Sequence, residues 1–113
     1  MKIDDWRHKI DAIDTAMLHL LNLRTELALE VGRFKNEEGV AVRVPERERK
    51  ILDRLKAINP GPLDGEAIEK IYQLILDQSV RSQELHGFGP SAGQNGKGSR
   101  TQARGSARKP ARG

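Results

Sequence analysis

Residues 3–37, IDDWRHKIDAIDTAMLHLLNLRTELALEVGRFKNE, decide the fold. Apolar side chains recur at Ile3, Trp6, Ile10, Ile13, Met17 and Leu20, then at Leu27, Val31 and Phe34, in alternating steps of three and four. That spacing marks the seam of an amphipathic helix in heptad register and not the two-residue alternation of a strand. Asp4 or Asp5 can cap its start, and Gly39 supplies a residue able to take the positive φ that ends a helix. A helix over residues 5–37 is roughly 50 Å long at 1.5 Å per residue. So short a domain has no use for that length unless another chain packs along it.

Two more helices follow. Pro45 is a favoured first helical residue, and Ile51, Leu52 and Leu55 share one face before Asn59, Pro60, Gly61 and Pro62 break the chain. The N-cap slot of this helix is Val44, a poor cap. The third helix starts better, with Asp64 as N-cap and Leu63 and Ile68 spaced as a hydrophobic staple. Its stripe runs Ile68, Ile71, Tyr72, Ile75 and then, at the same spacing, Ser79 and Gln83. No strand alternation, repeat or Gly-rich phosphate loop occurs, so the expected class is all-α with three helices and a long first one.

Composition changes sharply after His86. Residues 87–113 hold one large apolar side chain, Phe88, among Gly, Ser, Ala, Pro, Gln and cations, too little apolar surface to offset the entropy of ordering. The expected organisation is a domain over residues 1–86 and a disordered basic tail over 87–113. The overall charge of +4 belongs to that tail, because residues 1–86 carry all 16 acids against 14 Lys and Arg, a net of −2. A basic pI is therefore no argument for a nucleic-acid-binding fold. With no Cys the chain has no disulfide or thiolate metal site, and His8, His19 and His86 share no metal-ligand spacing. No apolar run approaches a membrane span and Asp4 and Asp5 do not suit a signal peptide, so a cytoplasmic protein is expected. A domain this small gains core most readily by dimerising.

One step of the first seam is wrong: between Leu20 and Leu27 stands Arg24. A guanidinium buried without a partner costs several kcal/mol, so Arg24 needs an anion, either an internal acid such as Glu48 or a ligand. Lys35, eleven residues on, lies about 20° around the helix and ~16 Å along it, so both cations leave the same face. Lys35 can equally be a solvated cation at a helix C-terminus, and Ser79 and Gln83 can mark a stripe running out to solvent. Arg47 and Glu48 lie in a charge run, RVPERERK at 43–50, that suits a solvated face. No Ser/His/Asp or Cys/His set offers a nucleophile, so any chemistry falls to cations and hydrogen-bond donors.

Taken together these residues resemble the all-α chorismate mutases of aromatic amino acid biosynthesis. The resemblance covers about residues 3–85 and rests on Arg7 in WRHKIDAID, Arg24 and Lys35 in LLNLRTELALEVGRFK, Arg47 and Glu48 in VPERER, and Ser79 and Gln83 in ILDQSVRSQ. It implies an interlocked homodimer whose active sites each take one Arg from the neighbouring chain. Arg7 and Arg24 are ~25 Å apart along one straight helix and ~100° around it, so one chain cannot aim both at one small ligand. The resemblance further implies a cofactor-free conversion of chorismate to prephenate. Arg24 and the partner copy's Arg7 are then expected to hold the substrate carboxylates, with Arg47 and Ser79 assisting. Lys35 and Gln83 are expected to donate to the ether oxygen, and Glu48 to accept from the ring hydroxyl. Family members often carry Asp where this chain has Val44, whose backbone would still lie near that hydroxyl. The loop around residues 38–45 is accordingly expected to be less well held.

Two rival functions remain. An isochorismate pyruvate lyase on the same fold is similar around the Arg and Lys positions, but lyase-type members lack an acid at the place of Glu48, and Ser79 is also mutase-like. A helical dimerisation module with a nucleic-acid-binding tail fits residues 87–113 but leaves Arg24 unexplained.

Overall fold

A computed structural model describes residues 1–88; the tail expected beyond them lies outside the described residues. Three helices follow in order, α1 (Ile3–Glu38), α2 (Pro45–Ile58) and α3 (Gly65–Leu85). α3 packs against both α1 and α2, which do not pack on each other. Asp5 serves the start of α1 from inside the first turn and not from the N-cap, its carboxylate accepting the Lys2 N–H at 2.8 Å. At the other end Gly39 takes φ 73° and the Val40 N–H reaches the Lys35 carbonyl at 2.8 Å, so glycine is needed at that turn. Asp64 caps α3 as expected, its Oδ1 accepting from the Ala67 N–H at 2.8 Å. The Phe88 N–H donates to the Gln83 carbonyl at 3.0 Å and closes the end of α3.

The core within one chain is small. Ile51 and Leu52 from α2 meet Leu76 from α3, with Leu55 and Tyr72 packed against them. On α3 the inward stripe includes Leu76, 4% exposed, in place of Ile71, which is 44% exposed. The rotation of α3 is set by its contacts with two helices at once, which one-dimensional spacing does not fix.

α1 is different. Every residue from Met1 to Leu23 is exposed, and the whole heptad seam is open, with Trp6 54%, Leu27 60% and Phe34 64% exposed. The Cα radius of gyration is 17.5 Å, against about 12 Å for a compact domain of similar size. A row of large apolar side chains of this length is a larger exposed apolar face than a soluble monomer ordinarily carries.

An ion cluster on the surface joins α2 to α3. Glu69 accepts from Arg49 at 3.1 Å and from Lys56 at 2.6 Å. The Arg49 guanidinium, and after it the Lys56 ammonium, hold the Glu69 carboxyl down at about 2. A carboxyl depressed by folding stabilises the fold above its ordinary value of 4.5 and ceases to do so as pH falls through about 2. Glu69→Gln is therefore expected to lower Tm near neutral pH, and the gap from the parent should close between those two values. Thermal melts at fixed protein concentration across that range check it.

Candidate active site

Seven of the eight residues expected at a site line one cleft of about 310 Å³. α1 supplies Arg24 and Lys35, the start of α2 supplies Arg47 and Glu48 beside Val44, and α3 supplies Ser79 and Gln83. Leu27, Val31, Val42, Ile51 and Leu76 complete apolar walls. The volume lies at the small end of the ~300–1,000 Å³ typical of ligand pockets. Three cations face one carboxylate, so the cleft favours an anion.

Each polar side chain has a local reason for its place. Arg24 is half-buried where α1 crosses α3, and its Nη1 donates to Ser79 Oγ at 2.7 Å. Among the described residues no acid pairs with Arg24; Glu48 pairs instead with Arg43 at 3.3 Å. The seam's one cation thus keeps donors for a ligand. Ser79 and Gln83 are both buried, so the α3 stripe does not run out to solvent but turns polar where it faces the cleft. The Lys35 Nζ donates to the Val42 carbonyl at 3.2 Å, which draws it toward the cleft and away from bulk water.

Val44 makes no side-chain hydrogen bond to the first turn of α2, as its chemistry requires. The loop before it has other anchors. Val42 is buried, and Arg43 reaches both Glu48 and, at 2.8 Å, Asp77 on α3. The hydrogen bond from Arg43, and after it one from Gln73, pulls the Asp77 carboxyl below the ordinary carboxylate range. These contacts offset the missing cap.

Arg7 is the residue that the chain does not bring to the cleft. It stands exposed in the second turn of α1, with a 3.7 Å contact to Asp4. Sequence reasoning also passed over Gly32, the buried residue of α1, and the Arg43–Asp77 pair. A glycine inside a long helix is a signal, because it costs helix stability and so has a packing reason. Arg43 gave none, since it sits in a run of like residues.

Residues 6–84 match the family described as chorismate mutase type II. The chain is 42% identical over 79 residues to a bifunctional chorismate mutase/prephenate dehydratase of Escherichia coli, a match covering 69% of this chain and 20% of that protein. It thus spans about a fifth of the length of the bifunctional relatives it matches. It is 33% identical over 86 residues to a chorismate mutase of Methanocaldococcus jannaschii, covering 75% of this chain and 87% of that protein. A crystal structure of chorismate mutase from Helicobacter pylori in complex with prephenate superposes with a TM-score of 0.69 at 32% identity, over 74% of this chain and 90% of that one.

Proposed function

This chain belongs to the chorismate mutase type II family, and on that premise we propose that it converts chorismate to prephenate in a site completed by a second copy of the chain. The observation that carries this is the cleft itself, in which Arg24, Lys35 and Arg47 converge with Ser79, Gln83 and a single acid, Glu48. Chorismate is a dianion, and its rearrangement is unimolecular. The protein has to hold the flexible substrate in its compact reactive conformer and stabilise the charge that grows on the ether oxygen as the C–O bond breaks.

The roles proposed are those that the family resemblance implies, and the meeting of these side chains in one cleft supports them. Arg24, steadied by Ser79, clamps one carboxylate, and Arg47 assists from the first turn of α2. Lys35 and the Gln83 amide donate to the ether oxygen. Glu48 accepts from the ring hydroxyl, near the Val44 backbone. The uncovered α1 seam supports the dimer: two first helices packed antiparallel bury it and carry the partner copy's Arg7 to the free side of Arg24's ligand.

The direct test is the disappearance of chorismate, with isochorismate run in parallel. Turnover of chorismate to prephenate is expected; pyruvate release from isochorismate without mutase turnover would overturn the proposal. Removal of residues 89–113 should leave the mutase activity in place. Gln83→Glu adds a sharper prediction. An ionised carboxylate beside the developing oxyanion repels it, whereas a protonated one donates as the amide does. The variant's kcat should fall near neutral pH and recover as pH drops toward the ordinary carboxyl range, about 4.3 for an unperturbed Glu. Paired pH–rate profiles of parent and variant measure this.

A further inference from the structure

Gly32 lies in α1 three residues before Lys35 and is buried where α1 meets α3. A Cβ built on it would stand 2.7 Å from Gln83 Oε1, 2.9 Å from its Cγ and 3.0 Å from its Cδ. Three atoms of one side chain therefore occupy the space that any other residue at 32 would fill. Gln83 is 6% exposed, and its Oε1 is buried without a hydrogen-bond partner among the described residues. A buried carbonyl oxygen left unpaired is unfavourable and persists only where packing holds it. Turning the oxygen side of the amide onto the bare backbone of Gly32 leaves the nitrogen side for the cleft that Gln83 lines.

We infer that Gly32 is a positioning residue for the reaction: its missing side chain forms the notch that seats the Gln83 carboxamide with its N–H donors toward the substrate's ether oxygen. This rests on the mutase reading above and deepens it, because nothing in that chemistry alone requires a glycine on α1. The helix has every reason to prefer another residue, since glycine is the poorest helix former after proline and its φ here is not of the positive kind that favours it. The atoms a Cβ would meet, Oε1, Cδ and Cγ of Gln83, all belong to one side chain that lines the open cleft, and none is backbone. Gln83 can therefore swing aside while the helices keep their packing, and the loss should fall on catalysis.

The test is a double-mutant cycle of Gly32→Ala, Gln83→Ala and the double variant, read as kcat and KM for chorismate in the full chain. Because the amide donor acts on charge present only in the transition state, the loss should appear in kcat with KM little changed. Gly32→Ala is expected to lower kcat at least ~10-fold, toward the level of Gln83→Ala, on the scale of a displaced oxyanion donor. In the Gln83→Ala background the same change should cost less than about 2-fold, since there is no longer an amide to displace. An equal loss in both backgrounds, or no loss in the parent, overturns the positioning role while leaving the mutase reading intact. A full-rate Gln83→Ala removes Gln83 from the machinery, and the role of Gly32 with it.

Discussion

Lys35→Ala is expected to lower kcat for chorismate by at least ~10²-fold, the scale of a lost oxyanion donor. The size follows from timing. The substrate's carboxylates carry their charge before and during reaction, so a clamp on them acts in both states, whereas charge on the ether oxygen exists only as the bond breaks. Lys35 holds its ammonium at the cleft by donating to the Val42 carbonyl at 3.2 Å, and that contact needs no rebuilding when a substrate oxygen comes within reach. KM should move little by comparison. Steady-state kinetics on the variant measure both numbers, and a near-normal kcat would remove Lys35 from the chemistry.

Arg7→Ala is the second large effect, and it comes from a side chain that its own cleft lacks. Within one chain Arg7 is exposed, and its contact with Asp4 spans 3.7 Å between two well-solvated groups, which is worth little to stability. Its removal should leave the fold unaltered. In a dimer with antiparallel first helices the same arginine binds a substrate carboxylate, and a hydrogen bond to a charged group is worth about 1.5–3 kcal/mol. The expected loss in kcat/KM is therefore about 10- to 150-fold, with Tm unchanged. Loss of Tm in step with activity would assign Arg7 to the fold.

Most of the fold was legible in the sequence because local chemistry set it. The heptad steps gave α1, Pro45 and Asp64 gave the starts of α2 and α3, and Gly39 gave the turn between the first two helices. The candidate site was legible only in part. Arg24 breaks an apolar seam and Ser79 and Gln83 break another, and these defects line the same cleft. Lys35, Arg47 and Glu48 read singly as solvated charges and joined the set only through the family resemblance. What could not be read depends on how the helices rotate against one another. Leu76 and not Ile71 enters the core, Gly32 receives Gln83, and Arg43 spans Glu48 and Asp77. The first is a choice of face, and the Gly32–Gln83 and Arg43–Asp77 contacts join residues more than thirty positions apart, so no spacing within one helix encodes them.

The proposed site shared between two chains would account for both the exposed seam of α1 and the isolation of Arg7 from the cleft. Co-refolding Arg7→Ala with Lys35→Ala tests it most directly. In the mixed dimer one site carries both defects and the other carries neither, because its Arg7 and its Lys35 come from different parents. With random pairing in a two-fold dimer about a quarter of the sites are restored. Chorismate turnover at about a quarter of the parent rate is the expected result. Activity no higher than the average of the two separate variants would contradict a shared site.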